Sequence, residues 1–394
     1  MLKSSSLYLI EKPLYLYAYS CYLAFYVFIP SAFTHAFNII LLAAGFLPFI
    51  LRPKASKIEL LIPILLAAYA TSREVLISND SLQSISIIAR YFAFVPLAFF
   101  FSIYRPSKSG TKTLYDAILL FFCLSSLISL LSVFLTEWLY NIANDEVLEG
   151  VDRGYGFLLN PSYSAIVLLA TYWLCIGTLT QSSRHIINKK IISIIIVLDL
   201  LALGSGSGYV FYIVSVLMYL SRGLRADIKR LLHQSSMRKK FVAYALITST
   251  TVFVAIFASI HGIHKKIDLK YIVYLINYKY AQLENPSLIT QEFNSVSFSS
   301  PFNKFLGISD LSAGFGSDFG WGIAYLYLGV FGLILLFLLL ILLLARNDSP
   351  DYSLYICIAI LVLSAFHYPA IFTLPGTSIL AVALSTKSKC IQAA

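Results

Sequence analysis

Long apolar stretches alternate with short polar segments along almost the whole chain. A membrane-spanning helix needs about 20 consecutive, mostly apolar residues, and the chain offers about twelve stretches near that length. The Gly/Ser run Gly204–Gly208 interrupts a stretch that is too long for one span, which predicts a tight turn between two helices. The predicted spans are 14–33, 36–51, 58–72, 86–103, 113–136, 161–180, 191–204, 208–221, 241–260, 320–345, 352–369 and 376–386.

The composition agrees with this pattern. Hydrophobic residues make up 59% of the 394 residues and charged residues only 12%. Soluble domains carry about 25% charged residues, so this chain has too little polar surface to cover a water-soluble globule. The sequence therefore predicts an all-α, polytopic membrane protein in which residues 1–394 form a single transmembrane domain.

Cysteine usage and short motifs exclude several classes of site. The five cysteines are scattered and contain no CxxC pair, so they predict neither a disulfide framework nor a zinc site. The sequence has no Walker A, HExxH, Asp-x-Asp or dinucleotide-binding motif. We therefore expect no metal and no cofactor.

The distribution of basic residues predicts the orientation. With the N-terminus in the cytoplasm, the inner segments hold 21 of the 29 Lys and Arg residues and the outer segments hold seven. Such a bias is typical of cytoplasmic loops, so both termini are predicted to be cytoplasmic. The net charge of +10 then indicates contact with anionic lipids, above all at Arg222–Lys240, rather than binding to nucleic acid.

Two outer loops, 136–160 and 261–319, are longer than the other connections, and the second has 59 residues. Within the second, His264–Leu283 mixes lysines with apolar residues in a pattern typical of a helix at the membrane surface. The remainder is rich in Ser, Asn, Gly and Phe and reads as a folded lid. We therefore sought the chemistry of the protein in these two loops.

The first outer loop ends in a cation between glycines, directly before a predicted span. Arg153 is followed by Gly154, Tyr155 and Gly156, and Asn160 precedes Pro161. Arginine can hold a phosphate through two hydrogen bonds, and glycines allow a backbone to approach a ligand closely. Asn160 can cap the next helix, whose N-terminus also favours anions. We interpret this segment as an anion site rather than as an ordinary loop with one solvated arginine, with Tyr155 and Asn160 as further substrate contacts.

The second outer loop ends in a similar way, with glycines around an acid before a span. Asp318 can act as a general base or orient a sugar hydroxyl, and it can equally be the N-cap of the next helix. Gly316, two residues before Asp318, and Trp321, three residues after it, are candidate substrate-binding residues. The aromatic ring can stack on a sugar or lie in the membrane-interface belt.

Charge is costly inside a membrane, so we considered Arg90, Asp199 and His367 among the titratable residues that fall inside or at the end of predicted spans. Arg90 can bind an anion at the mouth of a cavity or be an interfacial anchor. Asp199, in mid-helix, must be paired with a basic group or remain protonated, and a structural pair is the favoured role. His367 can carry a proton or form an interfacial polar tip; the second role is favoured, and His367 is also a candidate substrate-binding residue.

The chain resembles the superfamily of bacterial O-antigen ligases and Wzy-type O-antigen polymerases. Arg153–Ser164 (RGYGFLLNPSYS) is similar to the Arg, Gly-Phe and Asn-Pro segment that closes one periplasmic loop of the family. Leu203–Val210 lies where many members have a Ser-Arg-Gly turn, and Phe305–Gly332 resembles the end of the large periplasmic loop. With twelve spans and a large loop between the ninth and tenth, the resemblance in layout covers most of the chain.

Two departures from the family pattern bear on the function. The arginine of the Ser-Arg-Gly turn is replaced by Ser and Gly, so any phosphate contact made there must come from another residue. Ligases typically carry a His at the position that aligns with Asp318. An Asp at this position is more similar to the polymerases.

The resemblance implies a GT-C-like glycosyltransferase of the bacterial inner membrane with its active site facing the periplasm. The expected donor is a glycan on undecaprenyl pyrophosphate, and the expected acceptor is a sugar hydroxyl on a second lipid-linked repeat unit. Asp318 would be the base, and the loop 261–319 would cover the site. Membrane lipids and a polysaccharide chain-length regulator are the further expected partners. The cations expected to hold the pyrophosphate, without a metal, are Arg153, Arg90, Lys265 and Lys266.

Three alternatives remain. A ligase would transfer the glycan to lipid A core. A transporter or flippase for a lipid-linked sugar would usually show repeat symmetry and charged residues at mid-membrane, whereas this chain concentrates charge at its outer face. A non-catalytic scaffold would not need large glycine- and aromatic-rich loops. The sequence favours the polymerase, then the ligase, then the transporter.

Overall fold

A computed structural model describes residues 13–29, 65, 68–69, 108–135, 154–179, 189–231, 320–345 and 352–385. Helix accounts for 87% of these residues, and none of them lies in a β-strand. The all-α prediction is confirmed for this part of the chain.

The described helices are numbered in chain order. Two short 3-10 helices, Tyr26–Phe28 and Pro369–Phe372, accompany them. The α-helices are α1 (Pro13–Phe25), α2 (Lys108–Leu131), α3 (Pro161–Leu179), α4 (Lys189–Leu203), α5 (Gly206–Leu231), α6 (Gly320–Ala345), α7 (Tyr352–Ser364) and α8 (Leu374–Ser385).

Each of these helices coincides with one predicted span, although some ends differ. The α5 helix continues to Leu231, ten residues beyond the predicted end, because its charged continuation still forms helix. The α7 helix ends at Ser364 rather than 369 because a turn precedes Pro369, which cannot continue a helix. The predicted spans 36–51, 86–103 and 241–260, and most of 58–72, lie outside the described residues.

One described helix segment, Thr113–Leu131 of α2, is long and apolar enough to cross a membrane. It has 19 residues, and the other apolar helix segments of the described chain are shorter, with 10–17 residues. Twelve complete spans therefore stay a prediction, and one candidate span is established by length and composition.

The α3 helix lies at the centre of the described helices and packs against α2, α4, α5 and α7. Its sequence contains no charged residue, and every side chain from 165 to 170 is fully buried. A helix that is apolar on all sides is stable only when it is surrounded. This property explains why α3, rather than a more amphipathic helix, occupies the centre.

The predicted break between the seventh and eighth spans is a tight turn. Gly204 adopts a left-handed conformation with φ 56°, which glycine tolerates. The Ser205 hydroxyl then accepts a hydrogen bond from the Gly208 amide at 3.2 Å and caps α5. A Cβ at residue 208 would lie 2.8 Å from the Ala165 Cβ, so glycine lets α5 approach α3 closely.

The α6 helix is kinked at Gly329, where φ is 62° and ψ is −173°. Such a conformation interrupts the helical hydrogen bonds. The Tyr69 hydroxyl donates a hydrogen bond of 2.8 Å to the Leu328 carbonyl beside the kink. A side chain from a distant part of the chain thus stabilises the backbone at this point.

The described helices bury several polar groups and expose apolar faces. Polar groups are buried between helices: Asp199, Ser129 and Ser164 are fully buried. Apolar side chains point outward from α4, α5 and α6, where a water-soluble protein would place polar ones. The exposed residues of these three faces include Ile191, Ile194, Leu198, Val210, Ile213, Leu217, Val330, Ile334 and Ile341.

Candidate functional site

The segment 154–160, hereafter the outer turn, is fixed to two helices by backbone hydrogen bonds. The Gly154 amide donates to the carbonyl of Ala202 near the end of α4, at 3.0 Å. The Leu158 amide donates to the Ser164 hydroxyl in the first turn of α3, also at 3.0 Å. Both donors are therefore satisfied inside the protein.

Ser129 of α2 and Ser132, in the turn directly after α2, hold the middle of the outer turn. The Gly156 amide donates to the Ser132 hydroxyl at 3.0 Å, and the Phe157 amide donates to the Ser129 hydroxyl at 3.3 Å. Serine hydroxyls can accept such bonds where water is excluded. These bonds show that the backbone amides of residues 156 and 157, like those of 154 and 158, are engaged within the chain.

Packing requires glycine at two positions of the outer turn. Gly156 has φ 73°, and a Cβ there would collide with the Ser164 side chain and lie 2.8 Å from Leu203. A Cβ at Gly154 would lie 2.6 Å from the Ser132 hydroxyl. Close approach of these glycines to a ligand stays a prediction.

The turn also contains a strained residue. Leu159 is buried and has φ 53°, a left-handed conformation that side chains other than Asn and Asp rarely adopt. Such a conformation costs about 1–3 kcal/mol and persists only where the surroundings impose it. The hydrogen bonds to α2, α3 and α4 supply that constraint.

Asn160 caps the N-terminus of α3, as the sequence predicts. Its side-chain oxygen accepts hydrogen bonds from the Ser162 amide at 3.0 Å and the Tyr163 amide at 3.1 Å. Its carbonyl accepts the first helical bond, from the Ser164 amide at 2.9 Å. This cap is worth about 1 kcal/mol in a typical helix, and a substrate contact by Asn160 stays a prediction.

Aromatic contacts join the start of α3 to the turn after α7. Tyr163 packs edge-on against Tyr368, with ring centroids 5.8 Å apart. His367 lies against the same Tyr368 ring at 4.0 Å, and its backbone amide donates to the Ser364 carbonyl at 2.9 Å. His367 therefore lies in a compact cluster at the start of α3, the helix that follows the outer turn. Its role in substrate binding stays a prediction.

Trp321 connects the start of α6 to the end of α7. Its backbone amide donates to the Ala365 carbonyl and its indole N–H to the Val362 carbonyl, each at 3.0 Å. The ring packs edge-on against Phe372 at 5.8 Å. Only 6% of Trp321 is exposed, so its observed role is in packing. Contact between Trp321 and a sugar stays a prediction.

The structure thus brings four predicted site residues to one end of the helices. Tyr155 and Asn160 lie in the outer turn, Trp321 is the second residue of α6, and His367 follows α7. Tyr155 is half-buried, and its carbonyl accepts a bond from the Ser164 hydroxyl. The other predicted site residues lie outside the described residues: Arg90, Arg153, Lys265, Lys266, Gly316 and Asp318.

Sequence reasoning missed the serines that anchor the outer turn. Ser129 and Ser132 are three residues apart in the predicted span 113–136, which places them on one helical face. This spacing could have indicated a buried polar stripe, although not its partner. In the described part of the chain, no group of three or more His, Cys, Asp or Glu side chains is arranged to hold a metal ion.

Comparison with known proteins gave no relative of the chain. No family model, no curated protein and no solved structure matches it.

Proposed function

We propose that this protein is a membrane glycosyltransferase that polymerises undecaprenyl-pyrophosphate-linked repeat units of O-antigen or a related surface polysaccharide. The observation that carries the proposal is the meeting of the outer turn, the start of α6 and the turn after α7 at one end of the helices. Each of these segments adjoins a residue predicted to take part in the chemistry.

A membrane location is supported by three properties of the chain. The segment Thr113–Leu131 is able to span a bilayer. The exposed faces of α4, α5 and α6 are apolar while polar groups lie between helices. The Lys and Arg residues concentrate in the predicted cytoplasmic segments. We infer from the last property that the shared end of the helices faces the periplasm of the inner membrane.

The ends that meet are the ends that the predicted orientation places outside. The hydrogen bonds of Gly154 and Gly156 join the end of α4, the end of α2 and the loop before α3. The bond from Trp321 to Ala365 joins the start of α6 to the end of α7. Alternating spans require such a grouping, so these contacts support the proposed topology.

Arg153 is the proposed pyrophosphate-binding residue. It directly precedes Gly154 in the sequence, and the amides of the outer turn are already engaged with α2, α3 and α4. The engaged amides of this turn are not available to bind a phosphate. The permanent charge of the Arg153 side chain can attract the phosphate instead. Three further cations of the outer face complete the proposed anion site: Arg90, Lys265 and Lys266.

Asp318 is the proposed general base, two residues before the start of α6. The acceptor hydroxyl oxygen would form a bond to the anomeric carbon of the donor glycan. The bond from that carbon to the pyrophosphate would break, and undecaprenyl pyrophosphate would leave with the electron pair. Asp318 would take the hydroxyl proton, while Arg153 would stabilise the charge that develops on the pyrophosphate.

Deleting the gene tests the function, with surface polysaccharide examined by gel electrophoresis. We expect long-chain ladders to disappear and lipid A core capped by single repeat units to remain, because capping would not require polymerisation. A plasmid copy of the gene should restore the ladder.

Two results would contradict the polymerase assignment. An unchanged ladder would show that the protein does not make the polymer. Complete loss of attached glycan, with lipid-linked polymer accumulating, would instead identify a ligase.

A further inference from the structure

The α6 helix folds back on itself at Gly329. Trp321 and Phe337 are 16 residues apart in the sequence, a separation of about 24 Å along a straight helix. Their ring centroids nevertheless lie only 5.1 Å apart. Two aromatic side chains cannot bridge so long a gap, so the residues before and after Gly329 form two arms at a sharp angle. Residues 320–328 are hereafter the short arm, and residues 330–345 the long arm.

Two glycines permit this reversal. Gly329 has φ 62° and ψ −173°, a backbone conformation that is almost confined to glycine. A Cβ at Gly332 would lie 2.5 Å from the Leu328 Cβ, whereas Cβ atoms four residues apart in a regular helix are about 5–6 Å apart. The reversal therefore brings Leu328 against residue 332, which must lack a side chain.

Tyr69 contacts both sides of the reversal. Its hydroxyl donates a hydrogen bond of 2.8 Å to the Leu328 carbonyl, and its ring packs edge-on against Phe331 with centroids 5.3 Å apart. The ring edge would lie 3.0 Å from a Cβ at Gly332, so the missing side chain also makes room for Tyr69. A break in a membrane helix frees backbone groups that need new partners, and the Tyr69 hydroxyl supplies one.

The other end of the short arm is attached to α7 through Trp321. The Trp321 amide donates to the Ala365 carbonyl, and the indole N–H donates to the Val362 carbonyl. Tyr69 holds the last residue of the same arm, Leu328. Both ends of the short arm are thus fixed, and its direction depends on both attachments.

A continuous α6 is the competing conformation. Without the reversal, residues 320–345 would form one straight helix in which every amide after the first turn has a helical partner. The reversal gives up some of those hydrogen bonds, so contacts that exist only in the folded-back form must offset the loss. The hydrogen bond from Tyr69 and the packing of Trp321 on Phe337 are two such contacts.

We propose that Tyr69 is a positioning residue that locks α6 in its folded-back form and so sets the place of Asp318, two residues before the short arm. The inference rests on the proposed role of Asp318 as general base. Tyr69 acts through the direction of the short arm and not by contact with a substrate. The effect matters because displacing a reacting group by about 1 Å can slow a reaction about a hundredfold.

Fluorine NMR of the full chain in lipid nanodiscs tests the fold, with 5-fluorotryptophan at the three tryptophans. Phe337→Leu should shift the Trp321 signal, because a ring 5.1 Å away changes the magnetic field at the indole. Tyr69→Phe keeps the ring and removes the hydroxyl. It should shift or broaden the Trp321 signal, because the short arm gains a second orientation. The signal of Trp173, on α3, should stay unchanged in both variants.

Kinetics with undecaprenyl-pyrophosphate-linked repeat units test the positioning role. Tyr69→Phe should lower kcat by about three- to tenfold, the factor by which one hydrogen bond between neutral groups shifts an equilibrium. It should leave KM within about twofold, because substrate contacts are kept. In the Asp318→Asn background, Tyr69→Phe should slow the reaction no further, because a residue that acts through the base has no effect once the base is absent.

Tyr19→Phe is the matched control. It removes a hydroxyl that shares a hydrogen bond of 2.7 Å with Ser378, between α1 and α8, and leaves the reversal of α6 intact. We expect it to change neither kcat nor the Trp321 signal.

Three results would overturn the proposal. An unchanged Trp321 signal in Phe337→Leu would show that α6 is not folded back. An unchanged signal and kcat in Tyr69→Phe would show that the hydroxyl does not lock the fold. Independent losses from Tyr69→Phe and Asp318→Asn would show that Tyr69 does not act through the base. A wild type that makes no polymer would refute the proposed function and with it the role toward Asp318, while the fluorine signals would still decide whether Tyr69 locks α6.

Discussion

Replacing Arg153 by alanine is expected to reduce polymer formation at least about a hundredfold. This is the usual effect of removing one group that stabilises the charge formed in the transition state. The leaving pyrophosphate gains charge in the transition state. The amides of residues 154, 156, 157 and 158 already donate hydrogen bonds within the protein, so the charge of Arg153 is expected to stabilise the pyrophosphate. In a gene-deleted strain, Arg153→Ala should give the single-repeat pattern of the deletion, measured by the length distribution of surface polysaccharide.

Two variants make this prediction specific. Arg153→Lys keeps the charge but cannot form two parallel hydrogen bonds, so it should retain part of the ladder. Arg222→Ala removes a cation of the same type from the predicted cytoplasmic side and should leave the ladder unchanged. Full-length ladders from Arg153→Ala, with the variant present in the membrane at the wild-type level, would show that this arginine does not hold the pyrophosphate.

Replacing Asp318 by asparagine should separate its two candidate roles. Asparagine caps a helix as well as aspartate does, but it cannot take a proton from a sugar hydroxyl. If Asp318 is the base, Asp318→Asn should lower the polymerisation rate by about 10²–10⁴-fold, the usual contribution of general base catalysis. The melting temperature in nanodiscs should not change, because asparagine would preserve any helix cap that Asp318 provides.

The control for Asp318→Asn is Asp116→Asn, which removes an acid far along the sequence from the outer turn and should leave the rate unchanged. A wild-type rate from Asp318→Asn, together with a lower melting temperature for Asp318→Ala, would instead show that Asp318 only caps α6. The two measurements together thus assign the residue to one role.

The helix starts at the outer end were predictable because local chemistry determines them. Asn160 before Pro161 specifies a capped helix start, and α3 begins at Pro161. The left-handed Gly204 ends α4 where the Gly/Ser run predicts a turn. Helix ends that depend on distant packing were less predictable. The 14–33 stretch stays apolar, yet α1 ends at Phe25 and continues as a short 3-10 helix.

The contacts that form the site could not be predicted from the sequence, because they join segments far apart in the chain. Periodicity places Ser129 and Ser132 on one face of α2, but only the fold shows that this face meets the outer turn. The sequence also leaves open which aromatic rings near the start of α6 are exposed. Trp321 is buried because its indole reaches the Val362 carbonyl, 41 residues away.

Reconstituted polymerisation tests the central claim most directly. The purified protein in nanodiscs would receive undecaprenyl-pyrophosphate-linked repeat units in a buffer that contains a metal chelator, and lipid-linked products would be separated by length. We predict a ladder of lipid-linked oligomers, with one undecaprenyl pyrophosphate released for each new linkage. Unchanged single units in the presence of folded protein, or transfer that occurs only after lipid A core is added, would contradict the assignment as a polymerase.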